Sequence, residues 1–152
     1  MKQTGKGQDT RTRIMDIAQD AVLAKGFDAT SIEEIVAAAE ITKGGFFYHF
    51  PDKNALARAL LERHIRVEDA IFDRLFARAR ELSDDPLHTM LIALRLLAKL
   101  LQDMPNGHPG CIVATAAYQE RLFDATVRAL NRKAAIGWRR RFRAEFDAIA
   151  DT

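Results

Sequence analysis

The stretch ITKGGFFYHFPDK, residues 41–53, places four aromatic side chains and a histidine between a Gly-Gly pair and a proline. A threonine oxygen can cap a helix, so Thr42 predicts the start of a short helix over about 43–49. Pro51 predicts its end, because the residue before a proline is pushed out of helical geometry. In such a helix Phe46 and Phe50 lie four positions apart and share a face. The spacing therefore predicts two inward phenylalanines, while Phe47, Tyr48 and His49 point toward the open side.

Two further helices are predicted before this one. Ser31 and Glu34 have the spacing of a capping box, which predicts a second short helix over about 31–39. A first helix is expected from Asp9 or Thr10 to Gly26, where glycine can take the left-handed conformation that closes a helix. Two short helices joined by a tight turn and braced by a third form a helix-turn-helix, whose second helix enters the major groove of DNA.

The open side of the third helix has the residue types that a phosphate-contacting surface needs. Gly44 and Gly45 lack side chains at its first turn, so the free backbone N–H groups there can approach a phosphate closely. Tyr48 and His49 can hydrogen-bond phosphate oxygens or base edges, and flanking lysines add positive charge. The composition alone is also compatible with a hydrophobic corner whose aromatic side chains are simply core.

A family resemblance favours the first interpretation. Residues 10–56, TRTRIMDIAQDAVLAKGFDATSIEEIVAAAEITKGGFFYHFPDKNAL, closely resemble the amino-terminal DNA-binding domain of TetR-family transcriptional regulators. The segment GHPGCIVATAAYQE, residues 107–120, looks like the start of helix 6 in many members. The resemblance implies an all-α protein in which a helix-turn-helix head is joined by a long helix 4 to a ligand-binding and dimerisation body.

The resemblance also implies roles for individual residues of the head. Thr42 would cap the third helix and bond a phosphate, Lys43 and Gly45 would lie nearest the bases, and Tyr48 and His49 would hold the DNA backbone. Lys53 would meet another phosphate, and the second helix, capped by Ser31, could also face the DNA backbone. The predicted DNA-binding residues are Ser31, Thr42, Lys43, Gly44, Gly45, Phe47, Tyr48, His49 and Lys53.

The sequence departs from the family pattern at two positions. The family usually has tyrosine where this chain has Phe47, so a phosphate hydrogen bond is lost or passes to Tyr48. It usually has glycine in the turn where this chain has Glu40. A non-glycine residue in a left-handed turn costs on the order of 1 kcal/mol, so the turn is adjusted or the carboxylate points away from DNA.

The remaining chain also shows helical periodicity. A long fourth helix is predicted over about 53–80, and Asp85-Pro86 begins a fifth, with the cap followed by proline at the first helical position. PNGHPG at 105–110 breaks the pattern, and two more helices are expected over about 111–118 and 120–148. The predicted divisions are a flexible basic arm (1–9), the helix-turn-helix domain (10–52) and a ligand-sensing and dimerisation domain (53–152).

The body resembles only the first part of the family's ligand-sensing domain, since the last two helices, which usually make the dimer interface, are missing. The expected partners are a two-fold symmetric DNA operator, a second copy of the chain and a small-molecule effector. An effector pocket between helices 4 to 7 is predicted to be lined by His64, Val67, Ile71, Met90, Leu94, Leu97, Cys111, Thr115 and Tyr118. Ordinary core packing is the alternative for most of these side chains, and a core or interface role is the alternative for His64.

Other function classes have less support in the sequence. No membrane span, nucleophile elbow, phosphate loop or metal-ligand set is present, so we expect a cytosolic non-enzyme without a cofactor or metal. A single cysteine, Cys111, is compatible with a reducing compartment. The H-x-x-C pair formed with His108 lacks the second ligand pair of a zinc site. We therefore expect a sequence-specific DNA-binding repressor that a small-molecule inducer releases, and a helical protein-interaction module is the alternative. The basic cluster Arg139–Arg143 beside Trp138 is either a solvated face or a partner surface.

Overall fold

The structure is a computed structural model that describes the backbone of residues 3–152 and the side chains of residues 7–152. The predicted all-α class is confirmed, because the described part contains helices and no strand. The helices are α1 (Gln3–Lys25), α2 (Ile32–Ala38), α3 (Lys43–His49), α4 (Lys53–Leu82), α5 (Pro86–Gln102), α6 (Ile112–Tyr118), a 3-10 helix (Glu120–Leu122) and α7 (Ala125–Ala150).

Three of the side-chain caps predicted from the sequence are confirmed. Ser31 Oγ accepts a 3.1 Å hydrogen bond from the Glu34 N–H at the start of α2. Thr42 Oγ1 accepts one of 3.0 Å from the Gly45 N–H at the start of α3. Asp85 Oδ1 accepts one of 2.7 Å from the backbone of α5, which begins at a proline. Each oxygen satisfies one of the N–H groups that the first helical turn leaves unpaired.

The predicted arm over residues 1–9 is not what the structure shows, since α1 already begins at Gln3. Residues 1 and 2 lie outside the described residues. The first turns contain glycines at positions 5 and 7 but no proline. Extending an existing helix fixes only one residue for each hydrogen bond gained, so a stable downstream helix can carry two glycines. Asp9 and Thr10 therefore lie inside α1 and do not cap it.

The last helix also begins later than predicted. Residues 120–122 form a 3-10 turn, and α7 starts at Ala125. Asp124 explains the difference, because its Oδ1 accepts a 2.8 Å hydrogen bond from the Val127 N–H in the manner of a helix cap. The Asp124 N–H in turn donates 3.0 Å to Asn54 Oδ1 on α4.

The chain divides into two compact units, each with its own core. The first unit comprises the residues up to Arg63 together with Gly110–Arg132, so it contains the three-helix head, the start of α4, α6 and the start of α7. The predicted boundary at residue 52 therefore does not coincide with the edge of a compact unit. The core of this unit includes the fully buried side chains Ile14, Val22, Phe27, Ile35, Phe46, Phe50, Leu60, Leu61, Ile112 and Val127.

The second unit comprises His64–Pro109 and Lys133–Thr152. Its core contains Phe72, Phe76, Ala79, Met90 and Ala93, with Leu75, Ile92, Leu97, Phe142 and Ile149 packed against them. In the part of the chain that the structure describes, none of the helices has the length and apolar character required to cross a membrane.

Candidate nucleic-acid interface

The aromatic residues of α3 divide between core and surface. Phe46 and Phe50 are 0% and 1% exposed, which confirms both as inward-facing. Phe47 packs edge to face on the Phe46 ring, with centroids 5.5 Å apart, and is half exposed. Tyr48 is 84% exposed. Because Tyr48 lies in the same short helix as the buried Phe46, its backbone is anchored to the core while its hydroxyl is available to an external acceptor.

His49 supports Tyr48 from the side. Their rings meet edge to face with centroids 5.0 Å apart, and the imidazole is half-buried. Edge-to-face pairs are a preferred arrangement of aromatic rings. The contact limits the directions that the exposed phenol ring can take, so Tyr48 is partly pre-oriented before any partner arrives.

In the first turn of α3, Gly44 is exposed and Gly45 is half-buried. A side-chain carbon added at Gly44 would meet nothing nearer than Thr42 Oγ1 at 3.8 Å, and one added at Gly45 would meet the same atom at 3.4 Å. These are ordinary contact distances, and neither glycine has a positive φ. Packing within the chain therefore does not require glycine at either position, and what the two glycines provide is backbone that an external group can approach.

Lys43 carries the first side chain of α3 and is held by a residue that the sequence analysis missed. Its Nζ lies 2.7 Å from Oε1 of Glu33 in the first turn of α2, and both side chains are exposed. The hydrogen bond from Lys43 lowers the pKa of the Glu33 carboxyl below its ordinary value of 4.5. No spacing rule predicts this pair, because ten positions separate the residues and the turn between α2 and α3 decides their approach.

Lys53 is placed differently from Lys43. Its Nζ donates a short hydrogen bond to the backbone oxygen of Phe27, in the turn between α1 and α2. Burial lowers the pKa of Lys53 from its ordinary value of 10.5, and the charge of Asp28 opposes that effect. In this structure the ammonium thus binds the chain's own backbone, and a phosphate contact by Lys53 stays a prediction.

The two remaining head positions concern the ends of α2. Ser31, exposed at the amino end, has its hydroxyl oxygen occupied as a cap. Glu40, after the carboxyl end, has a φ of +52°, so the left-handed turn is made by a residue other than glycine, as the sequence indicated. Its side chain is exposed. The turn therefore keeps its left-handed conformation despite the strain expected for a residue other than glycine.

The nine predicted pocket residues are divided between the two compact units, and a pocket lined by all of them stays a prediction. Cys111, Thr115 and Tyr118 belong to the first compact unit, where Thr115 Oγ1 donates 3.1 Å to the Cys111 oxygen and Tyr118 is 92% exposed. The other six belong to the second unit. Of these, His64 lies 3.8 Å from Glu68 on the next turn of α4, and Val67 is 54% exposed.

One small cavity of the second unit lies beside two of the predicted pocket residues. Leu94 and Leu97 line a cavity of about 10 Å³, and Met90 is buried in the adjoining core. One water molecule needs about that volume, whereas ligand pockets span roughly 300–1,000 Å³. Aromatic rings that the sequence did not predict wall this core: Phe142 meets Phe72 and Trp138 with centroids 5.6 and 4.8 Å apart. Spacing along one helix could not reveal rings that come from α4 and α7.

The basic cluster near the end of the chain is partly neutralised within the second unit. Arg141 forms ion pairs of 2.6 Å with Asp73 and 3.1 Å with Asp69, both on α4. Arg143 pairs with Asp147 one turn further along α7. Among the described residues, no group of three or more histidine, cysteine, aspartate or glutamate side chains could hold a metal ion.

Comparison with known proteins identifies the head. Residues 14–60 match the family of bacterial regulatory proteins described as the tetR family. These residues include the buried phenylalanines, the exposed tyrosine and both capped helices of the helix-turn-helix. This match assigns the head, residues 14–60, to the TetR family. In TetR-family terms, α3 is the second helix of the helix-turn-helix, the one that such motifs place in the major groove.

Similar proteins agree with this assignment. The HTH-type transcriptional repressor NemR of Escherichia coli K12 is 36% identical over 56 residues, which are 37% of this chain and 28% of that protein. The HTH-type transcriptional regulator TtgR of Pseudomonas putida is 32% identical over 101 residues, which are 64% of this chain and 46% of that protein. The chain thus matches less than half the length of either curated relative.

The fold extends beyond the matched head. A TetR-family transcriptional regulator from Agrobacterium tumefaciens superposes with a TM-score of 0.77 at 19% identity, over 95% of this chain and 73% of that one. The regulatory protein TetR from Rhodobacter sphaeroides gives a TM-score of 0.73 at 21% identity, over 90% and 70%. At these identities the likeness concerns the fold alone, and it covers both compact units.

Proposed function

We propose that this protein is a sequence-specific DNA-binding transcriptional regulator that uses α3 as its recognition helix. The observation that carries the proposal is the contrast between a buried face, formed by Phe46 of α3 and its C-cap residue Phe50, and an exposed face that contains Tyr48. The exposed face combines a hydroxyl donor, an imidazole and, at Gly44, backbone with open space around it in one short helix. Such groups bond phosphate oxygens, and side chains at the start of the helix reach base edges.

The proposed regulator is a homodimer that represses transcription and releases its operator when it binds a small molecule. Two-fold operators require two recognition helices about one helical turn of DNA, 34–36 Å, apart, so a single copy binds only half of the site. NemR, which matches the head, is named a repressor. Release would follow if the effector favours a conformation in which that separation changes.

We place effector binding in the second compact unit. Its aromatic walls suit an apolar or aromatic molecule, whereas the space beside Leu94 and Leu97 is only about 10 Å³. A ligand that binds beside these leucines must therefore displace side chains such as Phe142, which is half-buried. Binding that depends on such an opening selects a minor conformation and could bias the chain toward a DNA-released state.

The proposal is tested by binding the purified protein to a pool of randomised duplex DNA at low ionic strength. Tyr48→Ala is expected to weaken binding across nearly all sequences, because it removes a backbone-directed donor. Tyr118→Ala is the matched control, since Tyr118 is an equally exposed tyrosine on α6, outside the helix-turn-helix. It should leave the affinity for duplex DNA unchanged.

Two results would contradict the proposal. Wild-type protein that binds no duplex at low salt would exclude DNA recognition and leave a helical protein-interaction module as the better explanation. Equal losses in Tyr48→Ala and Tyr118→Ala would show that exposed tyrosines in general, and not the face of α3, determine the measured binding.

A further inference from the structure

The ion pair between Glu33 and Lys43 joins the two helices of the helix-turn-helix at their first turns. Glu33 lies two positions after the cap of α2, and Lys43 directly follows the cap of α3. Lys43 Nζ and Glu33 Oε1 are 2.7 Å apart, with side chains 62% and 65% exposed. The pair is therefore a surface feature located where the proposed recognition helix begins.

A contribution to folding stability does not explain this ion pair. Ion pairs between exposed side chains contribute little to folding, because water screens the attraction and both side chains lose conformational freedom. For DNA binding in general, the carboxylate is a disadvantage, since it repels phosphates and neutralises a lysine that could contact them. A carboxylate at this position is easier to explain if it changes what the lysine binds.

We infer that Glu33 is a specificity-determining residue, which holds Lys43 away from DNA phosphates and directs it to base edges. The inference rests on the proposed function, since it concerns how α3 contacts DNA. A lysine donates to the O6 and N7 acceptors of guanine, and a glutamate accepts from the N4 amino group of cytosine. Side by side, the two groups present a donor and an acceptor that a phosphate backbone cannot satisfy together.

The pair should make its largest difference on DNA of the wrong sequence. There, binding depends on lysines and arginines that neutralise phosphates and release counterions. A lysine held by Glu33 does not release a counterion, so nonspecific binding is weakened. On a matching sequence the base edges bond both side chains, and these bonds offset the missing phosphate contact of Lys43. Glu33 thereby widens the gap between specific and nonspecific affinity.

The salt dependence of binding to one fixed duplex of unrelated sequence tests the inference. Glu33→Gln is expected to tighten this binding and to steepen the slope of log K against log salt concentration by about 0.9 per protomer, the value of one additional phosphate contact. Lys43→Gln in the wild-type background should leave the slope unchanged. In the Glu33→Gln background, Lys43→Gln should return both the affinity and the slope to their wild-type values.

Glu34→Gln is the matched control. Glu34 is the neighbouring residue on α2 and also forms an ion pair, 2.6 Å from Lys25 at the end of α1. The substitution removes the same charge from the same helix but does not release Lys43, so the slope should stay at the wild-type value. A slope that steepens equally in both variants would mean that only the overall charge matters, and would overturn the inference.

Other outcomes separate the inference from the function on which it rests. If Lys43→Gln alone flattens the wild-type slope by about 0.9, Lys43 already binds a phosphate and the inference is wrong, although the protein still binds DNA. If wild-type protein shows no salt-dependent binding to any duplex, both the proposed function and the inference fail. A selection from a randomised duplex pool should also give weaker sequence enrichment for Glu33→Gln than for Glu34→Gln.

Discussion

The side-chain oxygen of Gln119 accepts a 2.7 Å hydrogen bond from the backbone N–H of Phe27, although 92 positions separate them. Its amide nitrogen donates a second, short hydrogen bond to Asp28. Gln119 follows the last residue of α6, and Phe27 lies in the turn between α1 and α2. Gln119 thus fixes the turn between α1 and α2 to the end of α6, within the same compact unit.

Gln119→Ala should lower the free energy of unfolding by about 1–3 kcal/mol, because it leaves a partly buried N–H group without its acceptor. Urea unfolding followed by circular dichroism measures the change. Gln8→Ala removes an exposed amide from α1 and should change stability by less than about 0.5 kcal/mol. Similar losses in the two variants would show that the contact with Phe27 has no specific contribution.

Gly26→Ala should also destabilise the turn, by about 1 kcal/mol or more, because Gly26 has a φ of +90° that side chains rarely adopt. The added carbon would meet Gln119 Nε2 at 2.8 Å and Asp28 Oδ1 at 2.9 Å. Gly137→Ala provides the contrast. Gly137 lies inside α7 with nothing within 4 Å, so alanine should stabilise that helix by about 1 kcal/mol. Thermal unfolding of both variants would test the difference. A Gly26→Ala protein with the Tm of wild type would contradict the prediction.

Asp28 should make stability depend on acid pH. The hydrogen bond from Gln119 is the main cause that lowers the pKa of its carboxyl below the ordinary value of 3.8. The folded state therefore favours the charged form, so the stabilisation is complete above that value and is lost as pH falls through the lowered folded pKa. Asp28→Asn removes the charge and keeps an acceptor for Gln119.

Unfolding measured from about pH 5 to about pH 2 should show wild type more stable than Asp28→Asn at the upper end, with the difference shrinking as the pH falls. In a Gln119→Ala background the difference should be smaller throughout, since the main cause of the lowered pKa is gone. A difference between wild type and Asp28→Asn that stays constant over this range would contradict the assignment.

The second compact unit should depend on its aromatic core. Phe76 is 3% exposed and packs against Phe142, so Phe76→Ala should cost about 3–5 kcal/mol through lost burial and the cavity left behind. Phe146, on α7, is 59% exposed, and Phe146→Ala should stay within about 0.5 kcal/mol of wild type. Urea unfolding compares the two phenylalanines directly. Equal effects would contradict the assignment of Phe76 to the core.

Local signals in the sequence were sufficient for most of the head. Caps at Ser31 and Thr42 depend on residues three positions away, and the positive φ of Gly26 depends on the end of a single helix. The division of α3 into inward Phe46 and Phe50 follows from helical periodicity alone. Each of these features is settled within a few residues of chain, where spacing rules apply.

What sequence reasoning missed depends on contacts between distant segments. Glu33 reaches Lys43 because the turn between α2 and α3 brings their first turns together, and no periodic pattern encodes that distance. Gln119 and Phe27 meet only once α6 has packed on the head. The start of α1 was wrong for a different reason. The lack of apolar residues over 1–9 predicts a flexible basic arm, whereas an established helix extends back to Gln3.

The most direct test of the central account is a selection of wild-type protein against a randomised duplex pool, followed by sequencing of the bound DNA. A recognition helix that reads base edges in a dimer predicts enrichment of two related half-sites with two-fold symmetry, centred about 34–36 Å apart along the duplex. The Tyr48→Ala variant should recover much less DNA under the same conditions. Bound DNA with the same sequence composition as the starting pool would contradict sequence-specific recognition through α3.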